Sequence, residues 1–520
     1  MNKSKFSSQI TANLMSGLSV FLVALPLSLG IAMAARMPAS TGILSAIIGG
    51  LLGGFFSGTN IGISGPAAGL IVVMINAITT LALEGDYYLG MQRVFACLIV
   101  VGLLQVFSGF LRLGRFVFLC PHTVVSGMLA GIGVIILVKQ TPIVMGVLEN
   151  PYPKIGDMLI HLSYYFSNTN LAPLSIGLVS LILVFGWKHF PSKLTSKFPA
   201  ALVCVIAGLI MVQLFSQNES YLKTISLVQI PTALSQMFIS PKFDLIFSLP
   251  SLMAIFSLYF VCSLESLIST YAVDQLDPLK RKSSLNKDLI NKGLINLTCG
   301  MLGAYPVITE IVRSKANADN GATNKLSNFF HGVFLLLSIL LLAPIINQIP
   351  LSALAAVLIF VGFNLAHPRQ LKAIYQHGGK TEILIFLTTL MVTVFVDLLY
   401  GIALGIALSF TFDLIRGSRI KDFFSMDYHI QKNGEKEITL HIHSCLNFTN
   451  FLQIKSLLKN VPETTLVHFV FDHNAFADNT IEDLIDHDKH PHTIETLPHP
   501  KDVIQLPVTN ASQIKKDKSA

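Results

Sequence analysis

The long apolar runs of this chain contain few ionisable residues, and those few fix where chemistry can occur. Glu265 lies in the middle of the apolar stretch 248–272, with Ser269 four residues on and therefore on the same helix face. A lone carboxylate in such a stretch is costly unless it binds a cation or a proton or meets a polar partner. Glu265 is therefore either a cation or proton coupling group or a hydrogen-bonded anchor to Ser269 or Ser263. Arg313 lies in the short stretch 306–318, with Glu310 three residues before it at a spacing that favours a side-chain pair. Two readings are open. The two residues form a structural ion pair, or Glu310 takes and releases a proton and thereby unmasks Arg313 for an anion.

Two Gly/Pro breaks suggest where that anion would sit: Ser64-Gly65-Pro66-Ala67-Ala68-Gly69 and Gly303-Ala304-Tyr305-Pro306. A proline in the first helical turn costs no hydrogen bond, and a preceding glycine lets an anion approach the backbone. Two half-helices meeting amino end to amino end would bring two positive dipole ends together, making an anion site without a full cation. The competing reading is a pair of ordinary kinks. Other polar residues signal less. His122, His331 and Asp397 fall at the ends of apolar spans, where a wet, structural role is expected. Cys120-Pro121-His122 is too small for a metal site. Cys97, Cys120, Cys204, Cys262, Cys299 and Cys445 form no CxxC pair and read as small buried hydrophobes. No Walker loop, GxSxG, HExxH or DxD-like signature occurs, so neither an enzyme nor ATP coupling is expected. No metal centre or cofactor is expected either, sodium as a coupling ion aside.

The elements that hold these residues follow from composition. Of 520 residues 52% are hydrophobic and only 12% charged, against about 25% in soluble proteins, and the mean hydropathy is +0.64. A soluble globular enzyme is excluded and the surface must face lipid. The 36 Lys and Arg against 29 Asp and Glu give a net +7, with many basic residues between apolar runs, where they orient the chain rather than bind nucleic acid. Lys3, Lys5 and Ala32-Met33-Ala34 imitate a signal peptide, but the run is long and Pro26 breaks it, so an uncleaved first helix is expected.

Apolar windows place spans near 14–35, 40–57, 65–83, 91–111, 121–138, 173–190, 199–215, 248–272, 289–303, 306–318, 328–345, 350–365, 381–396 and 398–414. An all-α polytopic membrane protein of about fourteen spans follows, with both termini in the cytoplasm. Arg112 and Arg115, then Lys188, Lys193 and Lys197, then Lys280, Arg281, Lys282 and Lys287, then Arg369 and Lys372, and finally Arg416, Arg419 and Lys421 then fall inside. The hydrophilic connection 217–247 separates a first membrane repeat, 14–216, from a second, 248–415, after a short cytoplasmic terminus, 1–13. Seven crossings per half invert the second copy, and interrupted helices at matching positions of inverted halves point to a transporter's binding site.

Beyond 420 the chain turns hydrophilic. Ile438 to Ile442 alternates as a strand, Asn450 to Asn460 suits an amphipathic helix, and Leu466 to Phe471 reads as a buried strand. A small α/β domain over 420–484 is expected, followed by a disordered tail, 485–520. In that tail His487, His490, His492 and His499 could bind a metal loosely, but a solvated tail is the expectation.

With these residues assembled, the chain resembles the sulfate permease (SulP) family. The matches are Val23-Ala24-Leu25-Pro26-Leu27-Ser28, Ile63-Ser64-Gly65-Pro66-Ala67-Ala68, Gly303-Ala304-Tyr305-Pro306 through Arg313-Ser314 and Asn317 to Gly321-Ala322-Thr323, and His331-Gly332. The resemblance implies a seven-plus-seven inverted repeat with a core domain moving like an elevator against a gate domain, usually dimeric, and a cytoplasmic STAS domain, here truncated to a STAS-like remnant. It also implies an anion site at Ser64, Gly65, Pro66, Ala67 and Ala68 and at Val307, Ile308, Thr309 and Glu310, with Arg313 as the basic residue. Glu265, with Ser269, maps to the coupling carboxylate of the eighth span. Val312 stands where some relatives have a serine, and Glu310 where many have a small residue. The expected function is secondary transport of an inorganic oxyanion, sulfate first and bicarbonate second, with sodium or protons, in the cytoplasmic (inner) membrane. An uncoupled channel or exchanger and a membrane sensor are the competing classes.

Overall fold

The computed structural model describes residues 3–472 apart from 83–84, 115–119, 149–150, 153, 192–197, 232, 433–436, 460 and 463, and beyond them Ala477, Ile481, Ile485 and His492–Thr496. Each apolar window of the sequence holds one helix. They are α1 (Lys3–Ala34), α2 (Ala39–Phe56), α3 (Ile71–Leu81), α4 (Tyr87–Phe110), α5 (His122–Val144), α6 (Leu171–Gly186) and α7 (Ala200–Phe215) in the first half. The second half holds α8 (Leu249–Leu276), α9 (Leu285–Leu302), α10 (Ile311–Asp319), α11 (Leu326–Ile346), α12 (Leu351–Leu365), α13 (Pro368–Phe395, kinked at Gly379 with φ 68°) and α14 (Leu398–Ile415). Pro26 lies inside α1 without ending it, contrary to the break expected there. The nine residues of α10 rise about 14 Å at about 1.5 Å each, half of a ~30 Å hydrocarbon core. Arg115, Lys193 and Lys197 lie outside the described residues.

The chain forms two compact units, and they are not the two sequence halves. One comprises residues up to Val117, Met128–His367 and Leu390–Gly401. Inside it the halves interlock, and their contacts come in exchanged pairs. α2 packs on α11 as α9 packs on α4, α1 on α10 as α8 on α3, and α1 on α2 as α8 on α9. In each of these pairs, replacing both elements by their counterparts seven helices away gives the other pair, as an internal twofold requires. The two close crossings rest on glycine. A side-chain carbon on Gly50 of α2 would lie 2.6 Å from Gly332 of α11, and one on Gly102 of α4 would lie 2.7 Å from the Gly293 carbonyl of α9. Small residues let membrane helices approach in this way. The hydrophilic connection 217–247 is packed rather than loose: Val228 donates to the Ile349 carbonyl at 2.9 Å and Leu351 to that of Ser226 at 2.9 Å.

The second unit comprises Phe118–Gly127, Pro368–Thr389 and the chain from Ile402 onward. Its soluble part is a four-stranded sheet in the order β3 (Tyr428–Lys432), β4 (Glu437–Ile442), β5 (Leu466–Phe471), β6 (His492–Thr496). β3 and β4 are antiparallel, while β4, β5 and β6 run parallel. Helix α15 (Phe451–Lys459) supplies the crossover that a parallel β4–β5 pair requires. Ile438, Leu440, Ile442, Ile454, Leu458, Val467, Phe469 and Phe471 form its core. β5 buries only alternate residues, so one of its faces is covered, not two. The tail expected to be disordered from 485 contributes β6, which corrects that reading over His492–Thr496. His487, His490 and His499 and the rest of the tail, save Ile485, lie outside the described residues.

Candidate anion site

Neither half-helix starts at its proline. Pro66 ends a four-residue strand, β1 (Ile63–Pro66), and Pro306 precedes another, β2 (Val307–Glu310). The two pair antiparallel, with Ser64 opposite Thr309 and Gly65 opposite Ile308. At membrane depth the backbone must find partners within the protein, and two crossing strands supply them to each other. Side chains take much of the remainder. Val307 N donates to Asn296 Oδ1 at 2.7 Å, Thr309 N to Ser266 Oγ at 3.3 Å, Ile63 N to Ser314 Oγ at 2.9 Å and Ser64 N to Asn328 Oδ1 at 3.4 Å. The amides of Val307 and Thr309, expected at the anion, are thus bound to protein.

The helix starts lie one step further on. Ala68–Leu70 forms a tight turn leading into α3, and α10 opens at Ile311; the first amides of each helix have no partner within it. Ile311 and Val312 are exposed, so the start of α10 is open. Gly303 closes α9 in the left-handed conformation, with φ 73°, which glycine adopts at little cost. Two residues later the buried Tyr305 donates its hydroxyl to the Ala67 carbonyl at 3.2 Å, tying the second break to the first.

Arg313 is wholly buried, and none of its three guanidinium nitrogens has a hydrogen-bond partner. Of the two open readings, the structural ion pair with Glu310 therefore does not form. The guanidinium lies instead over Gly65, where an added side-chain carbon would sit 2.1 Å from Nη1. Leaving buried donors unpaired costs about 1–3 kcal/mol each, so a fully buried, unpaired cation calls for an anion. Glu265 is the acidic counterpart. It is 6% exposed, both its oxygens lack a partner, and it lies over Gly69, where an added carbon would sit 1.7 Å from Oε1. The alternative reading, an anchoring hydrogen bond to Ser269 or Ser263, is not made. Ser269 is buried a turn further along the same helix but unbonded to Glu265, and Ser263 accepts from Gln105 Nε2 at 3.2 Å. So an unpaired cation stands at β1 and an unpaired carboxylate at the start of α3, where the helix dipole favours negative charge.

His331 corrects another expectation. It is fully buried, with both ring nitrogens unpartnered, within electrostatic reach of Arg313 and not at a wet span end. Asp397 accepts from Asn76 at 3.2 Å and caps α14 through the Leu399 amide at 2.8 Å. His122 is exposed.

Behind the strands lies a polar network that the sequence reading missed. Asp288 and Lys292, one turn apart on α9 and both fully buried, pair at 3.2 Å. Lys292 Nζ also donates to Ser64 Oγ at 2.8 Å, and Asp288 accepts from Thr270 at 2.7 Å and Thr309 at 3.2 Å. Asn296 donates to Gln105 at 2.9 Å. The signal was available: Lys292 lies inside an apolar window, at i, i+4 from an aspartate. Arg93 was missed as well. It chelates Asp244 at 3.0 and 2.7 Å and donates to the Leu81 carbonyl at the end of α3 at 2.8 Å.

A break of this kind at the meeting of two inverted halves, with a buried cation over it, defines an integral membrane anion transporter. The family model described as "Sulfate permease family" matches residues 10–389, and the chain belongs to that family. It is 25% identical over 467 residues to the "Putative sulfate transporter YvdB" of Bacillus subtilis, covering 88% of this chain and 84% of that protein. It is 26% identical over 414 residues to the bicarbonate transporter BicA of Picosynechococcus, covering 79% of this chain and 71% of the other. The solved transmembrane domain of a cyanobacterial BicA superposes with a TM-score of 0.67 at 25% identity, over 76% of this chain and 97% of that one. SLC26A9 shares the fold, with a TM-score of 0.69 at 16% identity, over 94% and 84%.

Proposed function

We propose that the protein is a secondary active transporter of a small inorganic oxyanion, sulfate in the first instance, coupled to sodium or protons. The observation that carries this reading is Arg313: fully buried, unpaired at every nitrogen, and set over Gly65 beside two helix starts. The anion is held between the guanidinium and the free amides of Ala68 and Gly69 and of Ile311 and Val312, not by the Val307–Thr309 backbone.

Charge arithmetic supports coupling. With Asp288 and Lys292 cancelling, ionised Glu265, Glu310 and Arg313 leave the site at one net negative charge. An anion cannot enter such a site alone, because like charge in a low-dielectric interior is repelled strongly. A cation or proton taken up at Glu265 removes the obstacle. Carriage follows an elevator movement of the elements bearing the site, in a homodimer in the inner membrane with both termini cytoplasmic.

The test is uptake of labelled sulfate into proteoliposomes under imposed sodium or proton gradients. Arg313→Gln should abolish uptake and Glu265→Gln should remove its gradient dependence; gradient-independent uptake by the unaltered protein would refute the coupling. Bicarbonate is the second reading, favoured by the two BicA relatives. Labelled bicarbonate taken up in place of sulfate selects it.

A further inference from the structure

Away from the central break, a cavity of about 220 Å³ opens among the end of α1, α3, α5 and the start of α12. Its walls include Gly30, Ile75, Leu354 and Leu358, which are apolar, and two cations, Arg36 and Lys139. Among the described residues lining it there is no carboxylate. The two positive charges lie within electrostatic reach of each other, so each raises the cost of the other in a cleft whose apolar walls focus the field. A basic residue in a membrane helix that faces a cavity is a functional candidate on its own, and Lys139 lies five residues before the end of α5.

Arg36 strengthens the case through its backbone. It stands just past α1 with φ 57°, the left-handed position that glycine or asparagine ordinarily fills. The turn closes on it, with Arg36 N bonded to the Met33 carbonyl at 2.9 Å and Met37 N to that of Ala32 at 2.9 Å. An arginine held in this conformation beside a second cation asks for a ligand that rewards both charges. The cavity is also near the central site. Ile75 in its wall is seven residues along α3 from Ala68, about 10 Å at about 1.5 Å per residue.

We propose that this cavity is a second, outer anion site, in which Arg36 and Lys139 hold a small inorganic anion before it passes to Arg313. The proposal rests on the transport reading for its direction, since the α1–α2 turn faces outward only when the amino terminus is cytoplasmic. It does not rest on that reading for binding.

The experiment uses the full chain carrying Leu148→Cys, a position in the cavity wall that leaves both cations in place, in oriented membrane vesicles. It measures the rate at which an externally added, anionic methanethiosulfonate reagent modifies the new thiol, with the unaltered chain as background for its own cysteines. Chloride, bicarbonate and sulfate should each slow the modification several-fold. Arg36→Gln in the same background should lower the anionic reagent's rate about 3- to 10-fold, one of two charges giving at most the roughly tenfold low end of what a whole like-charged cleft contributes, and leave a neutral reagent's rate unchanged. Protection should survive Arg313→Gln, or Arg313→Lys if the former does not assemble. Uptake by Arg36→Gln in an otherwise unaltered chain should show an external half-saturation raised 3- to 10-fold at an unchanged maximal rate.

No protection by any anion overturns the proposal, as does protection that vanishes with Arg313→Gln and Arg313→Lys, because the cavity would then only report the central site. Labelling from the opposite face of the membrane alone overturns its placement as an outer site. A chain that transports nothing but keeps anion protection at residue 148 retains the second site and loses only the transport reading.

Discussion

Replacing Gly69 by alanine tests the coupling role of Glu265 without removing its charge. The new carbon would stand 1.7 Å from Oε1 and 2.6 Å from Oε2, against an ordinary contact of 3.4 Å or more. The carboxylate must therefore retreat by about 1.7 Å. It is free to do so because neither oxygen is hydrogen-bonded, so the variant should fold and the consequence should be functional. A coupling cation held about 3 Å from the carboxylate at an effective dielectric of about 20 gains about 5.5 kcal/mol, and at about 4.7 Å about 3.5 kcal/mol. The loss of about 2 kcal/mol corresponds to about 30-fold weaker coupling-ion binding. In proteoliposomes, Gly69→Ala should raise the half-saturating sodium concentration by that order where sodium is the coupling ion, while the anion's half-saturation at saturating sodium moves less than about threefold. A normal cation dependence in a folded Gly69→Ala protein would refute the assignment, since the carboxylate cannot keep its present position.

Other substitutions probe the rest of the site. Lys292→Met leaves Asp288 buried and unpaired and should cost about 3–5 kcal/mol, whereas Lys292→Met with Asp288→Asn should recover most of that loss; thermal denaturation in detergent reads the difference, and a double variant no better than the single would exclude the pair. Tyr305→Phe removes the bond to the Ala67 carbonyl and should weaken anion affinity about fivefold, for a hydrogen bond of about 1 kcal/mol, read as half-saturation of uptake. For Asp244, the Arg93 guanidinium holds the carboxyl below its ordinary value of 3.8. Because the folded value is depressed, the stabilisation is present above that ordinary value and is lost as pH falls through the folded one. The melting difference between the unaltered protein and Asp244→Asn should accordingly be constant near neutrality and vanish under strong acid.

How much of this was legible in the sequence depended on the length scale of each signal. The fourteen spans and the two breaks could be read because a run of twenty apolar residues, or a Gly-Pro step inside one, stands out from its surroundings. The strands Ile63–Pro66 and Val307–Glu310 could not: four residues are too few to alternate visibly in an apolar setting, and the stretch that follows Pro306 looks like a helix until Ile63–Pro66 pairs with it. Lys292 was hidden by averaging, one charge within a window that still scored as a span. His331 was misjudged for a related reason. Proximity to a span end predicts water only when the end reaches the surface, and α11 begins inside the packed junction with α2. β6 was missed because a tail rich in His, Pro and Lys offers no pattern of its own, and its strand exists only through pairing with β5.

The placement of the two unpaired charges would give the proposed coupling a physical form. Glu265 occupies the start of α3, a place that helix geometry makes attractive to any anion, substrate included. As long as the carboxylate is ionised and bare, it competes with the substrate for the same dipole, and its charge subtracts from that of Arg313. A cation or proton at Glu265 removes both effects at once, freeing the start of α3 and restoring the full field of the guanidinium. Affinity for the anion and affinity for the coupling ion must then rise together and by the same factor in each direction, because a coupling free energy between two sites is reciprocal. An anion of two charges gains more from that neutralisation than an anion of one, so a sulfate substrate demands tighter coupling than bicarbonate does. Sulfate uptake with a gradient dependence no steeper than that of bicarbonate in one set of vesicles would therefore refute this account of the coupling.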